Sequence, residues 1–181
     1  MLTPATRTHF HTLLDALTFA EPGDAHAIIF VATEADPVVV TRRALATAVT
    51  QHAAALHALG IQPGDLVLIA HTQNLDSIYA FWGALRLGAV PTLLPSLTEK
   101  LDGDVYRRSM AQLIALSQVQ AVLTSDDFAA TLRDVASCPV YGTSDLPLDA
   151  PLPAFAAPDP ESIAFLQHSS GTTGLQKGVA L

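Results

Sequence analysis

Lysine is almost missing from this chain: only Lys100 and Lys177 accompany the arginines, giving nine basic residues against seventeen acidic ones. The resulting net charge of −8 argues against a nucleic-acid groove or an anionic membrane surface, both of which need clustered Lys and Arg. Cysteine is limited to Cys138, so an internal disulfide is impossible and a reducing compartment fits. No apolar run approaches the ~20 residues of a membrane span. The opening MLTPATRTHFHTLLDAL lacks the basic start, apolar run and cleavage site of a secretory leader, so a cytoplasmic location is expected. Charged residues make up only 14% of the chain and hydrophobic ones 50%, which excludes a disordered tail. A length of 181 residues suits one hydrophobic core.

The apolar residues that are present are ordered in space by two periods. Phe10, Leu13, Leu14 and Leu17 predict an amphipathic helix over 6–20. HAIIFVA (26–32) and the run 38–40 predict strands, with Thr41 placed to cap the next helix. That helix carries Leu45, Val49, Leu56 and Leu59 on one face and stops at Gly60. A Pro63-Gly64-Asp65 turn leads into LVLIA (66–70), a strand buried on both faces. Residues 75–87 predict a helix apolar on nearly every side, ended by Gly88, before a strand at 89–94. Helices at 104–118 and 126–136 alternate with strands at 121–124 and 139–141. Alternation of this kind predicts an α/β fold of parallel βαβ layers with helices on both faces of the sheet. Five of the twelve prolines fall in 143–160 and predict an extended, semi-rigid connection to a strand at 162–166. The expected organisation is therefore an α/β subdomain over 1–142, the proline-rich connection over 143–160, and a strand with a binding loop over 161–181.

That loop lies in LQHSSGTTGLQKGV (166–179). Gly171 and Gly174 allow the backbone conformations that turn consecutive N–H groups toward one anion. Ser169, Ser170, Thr172 and Thr173 add short hydroxyl donors, and Thr173 is a candidate magnesium contact. Lys177 brings one of the chain's two ammonium groups to the rim. The Walker pattern does not fit, because Gln176 precedes Lys177 and Gly178 follows it, and GxGxxG is absent. A Ser/Thr/Gly-rich segment is most often a plain surface loop; the order of these residues and the lysine at the end argue otherwise. His168, beside the loop, either orients a phosphate or the loop, or fills a structural slot.

The run Ser-Ser-Gly-Thr-Thr-Gly-x-x-Lys-Gly resembles the phosphate loop of the adenylate-forming superfamily: acyl-CoA synthetases, fatty acyl-AMP ligases, luciferases and peptide-synthetase adenylation domains. Gln176 stands where those proteins usually carry proline. The stretch 64–95, with its Leu-Gly-Ala-Val-Pro turn, is similar to an early region of the same superfamily. The resemblance implies the first subdomain of that superfamily's large N-terminal domain. It implies attack by a carboxylate, fatty or another acyl class, on the α-phosphorus of ATP, with magnesium. Acyl-AMP and pyrophosphate result, and then a thioester with CoA or an acyl-carrier thiol. Ser169, Ser170, Gly171, Thr172, Thr173, Gly174 and Lys177 would hold the pyrophosphate. The superfamily's catalytic lysine, ribose-binding Asp and magnesium-binding acid lie beyond position 181, so no catalytic residue is assigned within the chain and it is expected to be inactive by itself. A non-catalytic nucleotide- or pyrophosphate-binding module is the alternative.

The remaining polar groups read as structure. His9 and His11, and His52 and His57, lack the spacing of metal ligands and are expected to be solvated or half-buried. Cys138 reads as a structural thiol, Arg42-Arg43 and Arg107-Arg108 as solvated helix faces, and Asp126-Asp127 as a helix start. Residues 179–181 look like the beginning of an apolar strand, whose open edge would favour self-association.

Overall fold

The computed structural model describes residues 10–18, 23–32, 35–72, 74–95, 97, 102–157, 159–168 and 178–181. In chain order the described elements are α1 (Leu13–Thr18), β1 (His26–Phe30), β2 (Val38–Thr41), α2 (Arg42–Ala58), β3 (Leu66–His71), α3 (Leu75–Leu87) and β4 (Val90–Pro95). They continue with α4 (Gly103–Leu116), β5 (Ala121–Thr124), α5 (Asp126–Arg133), β6 (Val140–Tyr141), a 3-10 turn (Thr143–Asp145), β7 (Leu166–His168) and β8 (Gly178–Ala180).

Six strands form one sheet in the order β6-β5-β3-β4-β7-β8. All of its neighbours are parallel except β7 and β8, which pair antiparallel. The alternation of side chains along β3 divides the core. Val67 and Ile69 point into a cluster with Ala53 and Leu56 of α2 and Ala80, Ala84 and Leu87 of α3. Leu68 and Ala70 point the other way, to Tyr106, Met110 and Ile114 of α4 and Ala129 and Leu132 of α5. Helices therefore cover both faces, as the doubly apolar strand requires.

Local chemistry starts and stops the elements. The Thr41 side chain accepts from the Ala44 N–H at 3.2 Å and begins α2, and the Asn74 side chain accepts from Ser77 N–H at 2.9 Å and begins α3. Gly88, at φ 85°, ends α3 in the left-handed region.

Two elements differ in extent from the sequence expectation, and the pairing of two others is new. The first two strands lie outside the parallel sheet: β1 and β2 pair antiparallel as a separate ribbon. Among the described residues between them there is no helix to make a parallel crossover. The first helix is described only over Leu13–Thr18, and the expected residues 6–9 and 19–20 lie outside the described residues. The last strand begins at Leu166, not 162, because a turn at Asp159 takes the preceding groups. Its side chain accepts from Glu161 N–H and its carbonyl from the Ser162 hydroxyl. Among the described residues, no helix is long and apolar enough to cross a membrane.

The tightest helix contact is between α2 and α3. His52, expected to be solvated or half-buried, is buried at 4% exposure. Its Nδ1 donates to the Ala48 carbonyl at 2.8 Å, and its ring lies 5.7 Å from that of Tyr79. The position facing it is Gly83, where a Cβ would stand 2.5 Å from His52 Cβ and 3.1 Å from Ala53 N. Replacing Gly83 by Ala gains roughly 0.5–1 kcal/mol of helix propensity. It also forces the helices apart, and overpacking costs about 1–3 kcal/mol. The clash is with backbone and a Cβ, which cannot rotate away, so Gly83→Ala should lower the urea midpoint. A midpoint at or above that of the parent chain would show that the two helices can separate freely.

Candidate functional site

Parallel strands put their C-terminal ends on one edge of the sheet, and open α/β sheets bind ligands outside that edge. Here β3 ends at His71, β5 at Thr124, β4 at Pro95 and β7 at His168. Two polar groupings lie along it.

The first surrounds His71, at the ends of β3 and β5. The amide of Asn74 is oriented by its cap: Oδ1 accepts from Ser77 N–H, so the NH₂ faces His71 Nδ1 at 3.2 Å. Nδ1 must accept, and the ring proton sits on Nε2, which donates to the Thr143 hydroxyl at 3.3 Å. The Thr124 hydroxyl donates to the Ala70 carbonyl at 2.6 Å. Asp126 accepts from both the N–H and the hydroxyl of Ser144, which holds its carboxyl below the usual range. These groups satisfy one another, and the sequence reading of Asp126 as a helix start stands beside this second use.

The second grouping is at the end of β7. Leu166, Gln167 and His168 pair with Ala180, Val179 and Gly178 of β8. Ala164 N–H donates to the Leu181 carbonyl at 2.7 Å, and Leu181 N–H to the Phe165 carbonyl at 3.1 Å, extending the pairing. The segment 169–177 is thus what joins His168 to Gly178, two residues in register at the C-terminal edge. Ser169, Ser170, Gly171, Thr172, Thr173, Gly174 and Lys177, the residues expected to bind phosphate, all lie outside the described residues.

His168 Nδ1 is hydrogen-bonded to Thr92 Oγ1 at 2.8 Å, and Thr92 is fully buried on β4. Burial holds the imidazole below its ordinary 6.5, so the ring is neutral at pH 7. Sequence reasoning did not single out Thr92, and it named Gly178 only as the glycine that closes the run. The signals available were a lone hydroxyl in the apolar run 89–94 and the glycine directly after Lys177. Among the described residues, no three His, Cys, Asp or Glu side chains are placed to hold a metal. Cys138 is half-buried, and burial pushes its thiol up, away from the thiolate that a nucleophile needs.

The AMP-binding enzyme family matches this chain over residues 17–181. The chain belongs to that family. Among its relatives, a 4-hydroxybenzoate–CoA/benzoate–CoA ligase of Rhodopseudomonas palustris is 31% identical over 137 residues, covering 67% of this chain and 24% of that enzyme. Disco-interacting protein 2 homolog B-A of Danio rerio is 30% identical over 139 residues, covering 71% of this chain and 9% of that protein. The chain therefore spans a quarter or less of the length of these relatives. A fatty acyl-adenylate ligase of L. pneumophila, solved with acyl adenylate and pyrophosphate, shares the fold: TM-score 0.75, 24% identity, 95% of this chain and 30% of that one.

The buried imidazoles carry a consequence for pH. His52, His71 and His168 are all held below 6.5, foremost by burial. As pH falls through 6.5 the unfolded chain takes up protons that the folded chain refuses, so stability declines there and is unaffected above it. The lowered carboxyls of Asp102 and Asp126 act with the same sign, but only near and below 3.8. Urea midpoints should therefore be lower at pH 5.5 than at pH 8, and His52→Gln should flatten the difference. Equal midpoints for the parent chain would show that the imidazoles protonate in place without cost.

Proposed function

We propose that this chain supplies the pyrophosphate-holding segment of an ATP-dependent, acid-activating enzyme. The observation that carries the reading is the sequence of residues from Ser169 to Lys177 in a member of the AMP-binding family, its flanking residues held in register at the C-terminal edge of a parallel sheet. The reaction is attack of a carboxylate oxygen on the α-phosphorus of ATP. The bond to the bridging oxygen breaks, and acyl-AMP and pyrophosphate result. Such transfers ask little covalent work of the protein and depend on positioning and charge neutralisation. The N–H groups freed by Gly171 and Gly174, the hydroxyls of Ser169, Ser170, Thr172 and Thr173, and the Lys177 ammonium would hold the charge that builds on the departing pyrophosphate. A thioester with CoA or a carrier thiol would follow.

Magnesium suits hard oxygen donors and binds nucleotides through phosphates plus one or two protein groups. The Thr173 hydroxyl fits that demand, and the metal would lower the charge of the triphosphate when bound. For the acid, similarity at 31% to a benzoate–CoA ligase favours an aromatic carboxylate within the fatty or other acyl class that the resemblance implies.

Removing one preorganised donor to a developing oxyanion costs about 3–4 kcal/mol, a factor of roughly 10²–10³ in rate. In the full-length enzyme, Lys177→Ala should slow acid-dependent ATP–pyrophosphate exchange by that order without lowering thermal stability. Assayed on a panel of aromatic and fatty acids, exchange at the parent rate would refute the assignment.

A further inference from the structure

Thr92 and His168 are 76 positions apart, yet a 2.8 Å hydrogen bond joins them. Thr92 is fully buried and belongs to β4, which is paired along its whole length with β3. It therefore moves only with the core. The other edge of the imidazole lies over Gly178: a Cβ there would stand 3.2 Å from Nε2, 3.6 Å from Cδ2 and 3.7 Å from Cε1. The ring is thus braced on one side by a hydroxyl anchored in the sheet and on the other by a residue with no side chain. His168 and Gly178 are register partners, and they are also the two residues that bracket 169–177.

We propose that His168 is a positioning residue, wedged between the Thr92 hydroxyl and the bare Cα of Gly178 to set the spacing and direction of the two chain ends that carry the pyrophosphate-holding segment. The inference rests on the function proposed above for that segment. It gives the ring a mechanical duty, distinct from touching a phosphate. A neutral imidazole with Nδ1 engaged to a fixed hydroxyl holds one orientation, and displacing chain ends by about 1 Å is enough to cost on the order of 10²-fold in rate.

The test is ATP–pyrophosphate exchange by the full-length enzyme carrying Thr92→Val, which removes the hydroxyl and keeps the shape, beside Thr92→Ser, which restores it. Thr92→Val should lower kcat/KM for ATP by roughly 10- to 100-fold. It should also raise the KM for pyrophosphate while leaving the KM for the acid unchanged, and Thr92→Ser should recover most of the loss. A purely structural hydroxyl would lower the active fraction, and so kcat, with both KM values intact; that outcome overturns the proposal. Should Thr92→Val fold poorly, Gly178→Ala at the exposed end of the brace takes its place. It should impair exchange in the parent enzyme and add nothing to His168→Ala. Additive losses would overturn the brace. A direct phosphate contact predicts loss in His168→Asn with Thr92→Val at the parent rate, which also overturns it. Lys177→Ala separates the two readings: if it is slow and Thr92→Val is not, the positioning role falls alone. If Lys177→Ala is not slow, both fall.

Discussion

The four residues Val67, Leu68, Ile69 and Ala70 are each fully buried, although successive side chains leave a strand on opposite faces. Keeping one strand dry on both sides is a demand no single layer can meet. It places α2 and α3 on one face and α4 and α5 on the other, and each pair completes its own core cluster. It also sets where the chain can go. β4 and β5 take the two flanks of β3, so later strands can join only farther out. The position of β7, and with it the base of the segment 169–177, follows from that occupancy.

The two polar groupings on the C-terminal edge show how similar parts serve different ends. Around His71 the polar side chains bond to one another, and the effect is to pin the connection after β6 to the ends of β3 and β5. At His168 the hydrogen bond runs inward to Thr92, and the ring's other edge faces the chain that returns as β8. One grouping seals the edge; the other frames a segment whose composition suits an anion.

Much of this was legible in residue order. Apolar period located β3, α3 and α5, and the Gly88 stop and the Thr41 cap appear where local chemistry placed them. Pairing was less legible, because a strand's own sequence does not name its neighbour. The ribbon of β1 and β2 reads like any two strands until the shortness of the connection between them is weighed. The strand expected at 162–166 was displaced by a turn at Asp159, whose hydrogen bonds are invisible in a hydropathy pattern. His52 shows the same limit. Its burial depends on Gly83 in the next helix, and neither residue alone announces the contact. The order of residues in 169–177 drew attention to that segment, whereas Thr92, which bonds to His168 at its base, lies in another strand 76 residues earlier.

β7 meets β4 at the single register pair Thr92↔Leu166, while β8 touches the sheet through β7 alone. The β3–α3–β4 unit closes over a short stretch of chain; β7 must return across the sheet from β6 on the far edge. Contacts that close long loops form late and are weakly reinforced. The hairpin can therefore detach and re-form at the margin while the double-faced core stays shut. In hydrogen exchange, the amides of β7 and β8 would belong to a less protected cooperative unit than those of β3. β7 and β8 thus take their order from a sheet whose core closes without them.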